Sequence, residues 1–324
     1  MPIEFLERDN KEIWNLFVEK SPQGSIFCKY EWLEFSTKNN FVILVYKENS
    51  NIVAGMPLPF FYEKKIRLPR LTQKMGVLFC DFSCLKYSTR LEKEKLIIGS
   101  FLDFIEKYKL SYTMNFDWNY ENWLPFYWHN YDQTTRYTYV IDYKKQDLDE
   151  IWKNMDQNTR NVIKKADKNG LKVYRSYDIK KFYDYNKKTF ERQRIKIPYS
   201  YEYVKSLFSQ FQENSYIFEA KDDENNTHAM NFYIKDLKSV YYLMSGADEK
   251  FRGFGAQDYI QWYAIRYYYD KTLYFDFEGS MIESIESNFR KFGAVQKQYF
   301  TIRKKSILNN IKEIARIVLK RYII

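Results

Sequence analysis

The sequence predicts an α/β (α+β) fold of two tandem domains, each a mixed, mostly antiparallel sheet flanked by helices. Three observations lead to this prediction: the length of the chain, the order of elements in its second half, and the return of that order in its first half. With 324 residues the chain is longer than a usual single domain, and two domains of about 150 residues are expected. Hydrophobic residues make up 45% and charged residues 29%, a balance typical of globular proteins.

The second half alternates between helical and strand periodicities. Apolar residues spaced three and four apart predict the helices, and short apolar or alternating runs predict the strands. Gly170 and Gly293 end two of the helices, and Pro198 separates two others. In order, the predicted elements are helix Glu150–Asn169, strand Leu171–Ser176, helices Ile179–Arg192 and Tyr201–Gln212, strands Tyr216–Lys221, Ala229–Lys235 and Ser239–Gly246, a helix from Ala256, strand Leu273–Phe277, helix Ile282–Phe292 and strand Val295–Arg303.

The helix from Ala256 follows a polar loop, Ala247–Ala256, that holds two closely spaced glycines. Its apolar face is formed by residues at helical spacing, namely Ala256, Tyr259, Ile260, Tyr263, Ala264, Tyr267 and Tyr268. A helix N-terminus presents unpaired N–H groups, and glycines let the backbone approach a phosphate closely. Two glycines in a turn are more often only a turn. Their position between a strand and a strongly amphipathic helix favours a pyrophosphate cradle with the Arg252 guanidinium beside it.

The first half repeats this plan in a degenerate form. Its predicted elements are strand Ile3–Leu6, helices Lys11–Lys20 and Tyr30–Thr37, strands Phe41–Lys47, Ile52–Tyr62 and Lys74–Phe82, helix Leu91–Tyr108, strand Leu110–Phe116, short helix Tyr120–Trp128 and strand Tyr137–Tyr143. Leu78–Tyr87 occupies the position of the glycine loop but contains no glycine. We therefore expect residues 1–145 to form a scaffold or acceptor platform, residues 146–305 to form the domain with the donor-binding loop, and residues 306–324 to form a C-terminal helix.

Positive charge is concentrated at the C-terminus. The formal net charge is +10, of which Thr301–Ile324 carries +6, leaving +4 for the rest of the chain. This distribution argues against nucleic-acid binding over the whole surface, and DNA is not an expected partner. The segment also has an apolar stripe opposite its basic residues, formed by Ile307, Leu308, Ile311, Ile314, Ala315, Val318 and Leu319. The helix either docks peripherally on the anionic inner surface of a membrane or packs on the core with its lysines outward.

The sequence lacks the marks of membrane-spanning, secreted and metal-binding proteins. No apolar run approaches the roughly 20 residues that span a bilayer, and the N-terminus does not resemble a signal peptide. Cys28, Cys80 and Cys84 cannot all pair, so reduced thiols in a cytoplasmic protein are expected. His129 and His228 are too few and too far apart for a catalytic triad or a metal site. Neither a metal nor a covalent acyl-enzyme is therefore expected.

Three stretches carry a likeness to a known family: Trp152–Ala166, Arg252–Trp262 and Phe275–Ser280. Together with the element order they resemble the GNAT acyltransferase fold. The twin-domain arrangement is similar to the FemABX-like peptidoglycan-bridge aminoacyltransferases and their relatives with a BioF2-like acetyltransferase domain. The likeness is strongest over residues 150–300. It implies transfer of an acyl or aminoacyl group to an amine, often on a cell-envelope precursor.

The resemblance implies a donor site in the glycine loop and the strand before it. The loop residues of this site are Arg252, Gly253, Phe254, Gly255 and Ala256. Met244 and Ser245 would hydrogen-bond the pantetheine-like arm of the donor through their backbone. The coiled-coil arm of some bridge-forming enzymes is missing here, and the two glycines are closer to a CoA loop than to the sparser loop of aminoacyl-tRNA users. Both departures favour acyl-CoA (acetyl-CoA) as the donor.

Glu278 and Tyr242 are the candidates for acid–base chemistry. Amide formation needs a deprotonated amine and a stabilised oxyanion. Glu278 follows the C-terminal end of the Leu273–Phe277 strand, where ligands collect in open α/β sheets, and surrounding aromatic rings would raise its pKa enough for a base. Alternatively, Glu278 only caps the following turn. Tyr242 is a candidate hydroxyl donor, with packing in the sheet as the alternative.

Arg160 and Lys164 lie one turn apart on the helix expected at the start of the second domain. They are candidates for gripping the diphosphate of an acceptor in a cleft between the domains. A solvated basic helix face is the alternative.

The expected function is transfer of an acyl group, from acyl-CoA, to an amine of a sugar or cell-envelope precursor. The acceptor would be a small molecule or a nucleotide-linked or lipid-linked sugar, as in polysaccharide or peptidoglycan synthesis. An aminoacyl-tRNA-dependent transferase, with tRNA as its partner, is the enzyme alternative. A nucleic-acid-binding protein is the non-enzyme alternative. Against the latter, the aromatic residues follow core periodicities instead of interleaving with lysine and arginine.

Overall fold

The computed structural model describes residues 3–62 and 64–304, which form two compact units. The first unit takes the described residues up to Arg136 and from Tyr299 onwards, and the second runs from Tyr137 to Gln298. The first unit therefore ends at Arg136, nine residues before the expected boundary at 145. The second unit ends at Gln298, before its expected end at 305, and the chain then re-enters the first unit. The predicted basic helix at 306–324 lies outside the described residues.

The order of helices and strands is close to the predicted one. In chain order the elements are β1 (Ile3–Phe5), α1 (Lys11–Lys20), α2 (Tyr30–Thr37), β2 (Phe41–Glu48), β3 (Asn51–Tyr62), β4 (Lys65–Arg67), β5 (Leu78–Phe79), α3 (Tyr87–Lys107), β6 (Ser111–Asn115), α4 (Leu124–Trp128), β7 (Tyr131–Asp142), α5 (Leu148–Asn154), α6 (Gln157–Lys168), β8 (Lys172–Ser176), α7 (Ile179–Arg192), α8 (Tyr201–Gln210), β9 (Ser215–Lys221), β10 (Thr227–Lys235), β11 (Ser239–Ala247), α9 (Ala256–Tyr268), β12 (Tyr274–Asp276), α10 (Glu283–Arg290) and β13 (Val295–Lys304). Short 3-10 turns precede α1, α2 and α9. Within the described part of the chain, no helix combines the length and apolar character needed to cross a bilayer.

The sheet of the first unit has the strand order β1-β2-β3-β4-β6-β13, with β5 paired to β3. Neighbouring strands are antiparallel except β4 and β6, which are parallel. Large aromatic residues dominate the core, and Trp14, Phe101 and Tyr112 are fully buried. The Trp14 ring takes the space beside Gly55, 2.3 Å from where a Cβ would stand. Such side chains each bury a large apolar area and so contribute much of the stability of this core.

The sheet of the second unit has the strand order β7-β12-β11-β10-β9-β8, and only β11 and β12 are parallel neighbours. Helix α9 packs against β9 and β10 with the apolar face that the sequence predicts. Ile260, Ala264 and Tyr268 on this face are fully buried. The Tyr268 ring lies 6.1 Å from that of Tyr233 on β10 and 6.2 Å from that of Phe218 on β9, measured between ring centres. Helix α9 is thereby fixed to the sheet with its N-terminus at the end of β11.

The strand pairing of the two units is alike in one respect. In the first unit β4 runs parallel to β6, as β11 runs parallel to β12 in the second. The first unit divides the strand that corresponds to β11 into two short pieces, β4 and β5. The predicted strand Lys74–Phe82 is therefore reduced to Leu78–Phe79, the residues that pair in register with Gly55 and Ala54 of β3.

One predicted helix is two helices in the structure. The segment expected as helix Glu150–Asn169 breaks at Met155, whose ψ of 149° is extended. A capping box between Asp147 and Glu150 starts α5, and α6 begins after Asp156. Apolar spacing continues across the break, so the sequence pattern does not reveal it.

Two strands pair with different partners from those predicted. The sequence predicts that Tyr137–Tyr143 closes the first sheet, but residues 140–142 pair with β12 in the second unit. Val295–Arg303 is predicted to end the second sheet, but residues 301–303 pair with β6 in the first unit. Burial explains both outcomes, since Ile141 is part of the second core and Ile302 part of the first. Alternation along a strand indicates which face is buried, not which sheet receives it.

Helix α7 approaches β11 closely at Gly246. A Cβ at this position would lie 2.3 Å from the backbone nitrogen of Asn186 and from the carbonyl carbon of Tyr185. The buried Asn186 donates from Nδ2 to the carbonyl oxygen of Ser245 at 2.6 Å and accepts from the Tyr199 hydroxyl at 3.0 Å. The missing side chain therefore permits a buried polar bond between helix and strand.

Replacing Gly246 by alanine should destabilise the protein, because the new Cβ would overlap backbone atoms of α7 that cannot rotate away. We expect the free energy of unfolding to fall by about 1–3 kcal/mol, a cost typical of overpacking. Urea denaturation measures this change. Gly99→Ala in α3 is the matched control, because the nearest atom to its Cβ is His129 Nε2 at 3.7 Å. The control should keep or slightly raise stability, and equal stability of the two variants would contradict the close approach.

Candidate active site

A cavity of about 600 Å³ lies in the second unit, where β11 continues beyond the end of β12. The two strands pair in parallel only as far as Tyr241 and Asp276, and β11 then runs on to Ala247. Leu243 has no partner in the register with β10, so β11 is bulged at this point. The sheet thus opens at the carboxyl ends of two parallel strands, where ligands bind in α/β sheets.

The cavity has one apolar and one polar side. Phe277, Phe289 and Phe292 line the apolar side, and the ring of Phe277 lies 5.7 Å from each of the other two, measured between ring centres. The end of β11, the predicted donor loop and the first turns of α9 line the polar side. A site of this composition suits a ligand with both an apolar segment and a charged group.

The predicted donor loop forms part of the polar side. The 3-10 turn Glu249–Phe254 leads to Gly255 in the left-handed conformation, with φ 73°, and α9 begins at Ala256. No side chain caps α9, so the N–H groups of its first turn remain for a ligand. Arg252 and Gly253 line the cavity together with Gly255 and Ala256. A glycine loop, a helix N-terminus and a guanidinium group are features typical of an anion site.

The two glycines of the loop, Gly253 and Gly255, differ in the space around them. A Cβ on Gly255 would lie 2.5 Å from Cγ1 of Val162 in α6, and the φ of 73° disfavours any side chain there. Gly255 therefore lets the loop pack on α6, and a side chain at this position would strike α6. A Cβ on Gly253 would have no heavy atom within 4 Å. Gly253 is therefore the position from which a side chain would enter open space at the cavity wall.

The lining residues include two arginines and two aspartates. The two aspartates, Asp248 and Asp258, are each paired with a lysine, at 2.7 and 2.8 Å. The lysine beside Asp248 lowers the pKa of that carboxyl. The guanidinium groups of Arg192 and Arg252 line the same cavity and have no acidic partner among the residues that the structure describes. The cavity is therefore suited to an anionic ligand.

Polar side chains from β10, β11 and α9 form the floor. Burial raises the pKa of Tyr242 to about 12, an effect that a hydrogen bond with the Ser245 side chain reduces. Gln261 Oε1 accepts from the Tyr233 hydroxyl at 2.8 Å and from Asn231 Nδ2 at 3.3 Å. Gln261 Nε2 is buried and has no hydrogen-bond partner within residues 3–62 and 64–304. Because an unsatisfied buried donor is costly, this atom is suited to an oxygen of a ligand.

Glu278, the predicted base, is buried directly after β12. Its backbone is left-handed, with φ 62°, and its N–H donates to Asp276 Oδ1 at 2.8 Å. The same oxygen accepts from Thr138 Oγ1 at 2.6 Å, so Asp276 holds the turn that contains Glu278. Phe277 lines the cavity, whereas Glu278 is not one of the lining residues. The structure thus places Tyr242 at the cavity surface and Glu278 next to a lining residue.

Arg160 and Lys164 lie on α6 and do not line the cavity. The Arg160 guanidinium donates to three backbone carbonyl groups at the end of α5, those of residues 152, 153 and 155, and to Gln157 Oε1. It therefore caps α5, which is a structural role that the sequence analysis did not consider. The Lys164 ammonium lies 5.9 Å from the centre of the Trp152 ring.

Three other residues of the predicted donor site differ in their placement. Ser245 lines the cavity, although its carbonyl already accepts the hydrogen bond from Asn186. Met244 is buried and does not line the cavity. Phe254 packs edge-on against His228, with 4.9 Å between ring centres.

Among the lining residues that the sequence analysis did not propose are Arg192, His228 and Gln261. Arg192 ends α7, and nothing in its local pattern indicates that this helix end approaches the donor loop. His228 is the single histidine of the second unit and stands at the start of β10, which was a usable signal. Gln261 is a polar residue beside the buried Ile260, a mismatch that also marks a site.

Residues 153–282 match the acetyltransferase (GNAT) domain family. This range contains the whole of β11, the donor loop and α9. The sequence has no significant match among curated proteins.

Solved structures share the fold over nearly the whole chain. FemX is similar with a TM-score of 0.70 and 14% identity, over 92% of this chain and 96% of that one. The C-terminal domain of a putative lysylphosphatidylglycerol synthetase from Agrobacterium fabrum is similar with a TM-score of 0.55 and 9% identity, over 96% of each chain. A tandem GNAT protein from the clavulanic acid biosynthesis pathway is similar with a TM-score of 0.51 and 10% identity, over 93% of this chain and 97% of that one. At sequence identities of 9–14%, these similarities show a shared fold.

Gly253→Val should weaken the binding of CoA without unfolding the protein, because its side chain enters open space at the cavity wall. We expect the Kd, measured by isothermal titration, to rise at least about 10-fold through lost phosphate contacts. Gly255→Val is the matched comparison and should instead lower the melting temperature, because its side chain strikes Val162. Unchanged CoA affinity in a folded Gly253→Val protein would remove the loop from the donor site.

Proposed function

We propose that this chain, which contains a GNAT-type domain and has the fold of acyl and aminoacyl transferases, moves an acyl group from an acyl-CoA to an amine of a sugar or cell-envelope precursor. The observation that carries the proposal is the cavity of about 600 Å³, which joins an apolar side, an opened strand edge and a helix N-terminus. An acyl-CoA offers corresponding parts: an acyl thioester, a polar arm with amide groups, and a pyrophosphate.

The donor would lie along β11 with its phosphates at the loop Arg252–Ala256. Its pantetheine arm would pass Met244 and Ser245 and use their backbone groups. The Ser245 carbonyl uses one lone pair for Asn186 and keeps a second one for the arm. The unpartnered Gln261 Nε2 would donate to an oxygen of the same arm. The acyl group would then reach the aromatic side near Phe277.

The reaction needs two proton transfers. The amine nitrogen loses a proton and attacks the thioester carbonyl carbon, the C–S bond breaks, and the leaving thiolate of CoA takes up a proton. Glu278, which follows the lining residue Phe277 in the chain, is the proposed base. Tyr242 is the proposed acid, since a hydroxyl with a pKa of about 12 holds its proton at neutral pH and can donate it to a thiolate.

An aminoacyl-tRNA donor is the second candidate, favoured by the structural likeness to FemX across both units. The tRNA 3′ end would bring a phosphate to the same loop, and Arg192 and Arg252 would serve it equally well. The acceptor in either case is proposed to be a small molecule or a nucleotide-linked or lipid-linked sugar. A lipid-linked acceptor would bring the protein to the inner surface of the membrane. The first unit would act as scaffold or acceptor platform.

A transfer assay separates the two donors. The purified protein is incubated with acetyl-CoA labelled in the acetyl group, or with labelled aminoacyl-tRNA, and with a panel of amino-sugar nucleotides and lipid-linked precursors. Transfer of label from acetyl-CoA to an amine is the expected result. Transfer from aminoacyl-tRNA alone would overturn the proposed donor and leave the fold assignment intact.

Glu278→Gln and Tyr242→Phe should each lower kcat while leaving the Kd of CoA nearly unchanged, because proton transfer affects the transition state first. The expected loss is roughly 10²–10⁴-fold in each variant. Tyr259→Phe is the matched control, because its hydroxyl bonds to Asp167 at 2.7 Å, away from the lining. Full activity of Glu278→Gln would mean that this residue only holds the turn. A loss of kcat in Tyr259→Phe as large as that in Tyr242→Phe would contradict a role of Tyr242 in proton transfer.

A further inference from the structure

His228 is a buried titratable residue of the cavity that the proposed reaction does not use. Its side chain is fully buried and lines the cavity. Its Nε2 lies 3.0 Å from Asp222 Oδ2, in the turn between β9 and β10. Its Nδ1 is also buried and has no hydrogen-bond partner within the described residues. One nitrogen of the ring is therefore satisfied by the protein and the other is not.

The ring is held directly against the donor loop. The Phe251 ring stacks on it, with 4.0 Å between ring centres and 9° between planes, and the edge of Phe254 meets it at 4.9 Å. The His228 carbonyl accepts a hydrogen bond from the N–H of Asp248 at 3.0 Å, which ties the start of β10 to the end of β11. A ring clamped in this way cannot turn Nδ1 toward a different partner. Its unsatisfied Nδ1 therefore stays beside the donor loop.

Asp222 determines which nitrogen carries hydrogen in the neutral ring. The hydrogen bond with His228 is the largest cause that lowers the pKa of Asp222, to about 2. Asp222 is thus an ionised acceptor at neutral pH, and Nε2 is the nitrogen that donates to it. In the neutral ring Nδ1 is then a bare lone pair, and in the protonated ring it is an N–H donor.

We infer, on the basis of the donor site proposed above, that His228 binds a phosphate oxygen of the donor through Nδ1–H and does so only in its protonated form. A phosphate offers acceptors and negative charge, which a bare lone pair repels and an imidazolium attracts. The stacked Phe251 ring adds attraction for the charged form. Donor affinity should therefore be lower at alkaline than at acidic pH.

Charged groups face the ring from several elements. Asp222 in the turn favours the charged ring. Arg252 in the loop and Arg192 at the end of α7 disfavour it, whereas Asp248 at the end of β11 is paired with Lys188 of α7 and contributes little net charge. A bound phosphate neutralises the two guanidinium groups, so phosphate binding and protonation of the ring stabilise each other.

On β9, the other strand beside β10, the one carboxylate near the start of β10 is neutralised by lysines. Buried Glu219 on β9 is paired with Lys181 and Lys221 and accepts from the Thr227 hydroxyl. The carboxylate that acts on His228 is therefore that of Asp222.

Two substitutions separate the two nitrogens. His228→Gln places an amide nitrogen as many bonds from Cα as Nε2, so it keeps a donor for Asp222 and removes the atom at Nδ1. His228→Asn places its amide nitrogen as many bonds from Cα as Nδ1, so it keeps an uncharged donor there and loses the bond to Asp222. The Kd values of inorganic pyrophosphate and of CoA are measured for the three full-length proteins at about pH 5.5 and about pH 8, on either side of the ordinary histidine pKa of about 6.5.

The expected loss of affinity at the lower pH is about 10- to 100-fold for His228→Gln, the contribution of one charged hydrogen bond, and smaller for His228→Asn. The ratio of the Kd of His228→Gln to that of the wild type should shrink toward one at the higher pH. Because both proteins are measured with the same ligand at each pH, protonation of the ligand does not affect this ratio. A structural role would give the reverse order, with His228→Asn impaired and His228→Gln normal, and would overturn the inference. An equal ratio of the two Kd values at both pH values would also overturn the inference. So would a wild-type protein that binds neither pyrophosphate nor CoA. Histidine-dependent binding of pyrophosphate without binding of CoA would keep the inference and overturn the proposed donor.

Discussion

The short pairing of β12 with β11 is the constraint on which the second unit's site depends. The two parallel strands share only three register pairs, after which β11 runs on without β12. Backbone polar groups in such an opening must find other partners. Side chains supply two of them, since Asn186 donates to the Ser245 carbonyl and Gln257 Nε2 donates to the Gly246 carbonyl at 3.1 Å. The remaining edge faces a cavity whose opposite side is aromatic, so a polar ligand arm is what would complete it.

Two glycines set how closely the surrounding helices approach this opening. Gly246 lets the backbone of α7 contact β11, and Gly255 lets the donor loop contact α6. The loop is consequently clamped between α6 on one side and the His228 ring on the other. A site held by backbone contacts in this way is preorganised, and little ordering remains to be done when a ligand binds.

The unsatisfied atoms of the cavity indicate what it is built to receive. Gln261 Nε2 and His228 Nδ1 are both buried without partners in the described part of the chain, and both belong to lining residues. Leaving a buried polar group unpaired lowers stability by about 1–3 kcal/mol. Such groups persist where a ligand satisfies them. Their positions, one at the floor and one beside the loop, match a donor with a polar arm and a phosphate.

The sequence predicts the regular parts of this fold well and its exceptions poorly. Helices α1, α2 and α7 begin and end at the predicted residues, because a strong amphipathic period specifies a helix locally. The donor loop was also predicted, since a glycine loop between a strand and an amphipathic helix is a local pattern. The break at Met155 was missed because the apolar spacing continues through it. The partner strands of β7 and β13 were predicted wrongly, because alternation along a strand does not identify its partner.

Site residues divide in the same way. Arg252 and Tyr242 could be proposed from position along the chain, and both line the cavity. The capping contacts of Arg160 could not be predicted, because its partners are carbonyl groups exposed by a helix break that the pattern conceals. His228 and Arg192 enter the site through long-range packing of β10 and α7, which no short motif records.

The central claim is that a CoA-type donor lies along β11 with its phosphates at the loop before α9. Hydrogen–deuterium exchange of the backbone amides, with and without saturating CoA, tests it most directly because it reports each segment separately. The account predicts slower exchange in residues 242–248 and 251–258 on addition of CoA, with unchanged exchange in β2 and β3 of the first unit. Slowing confined to the first unit, or no slowing anywhere at saturation, would contradict it.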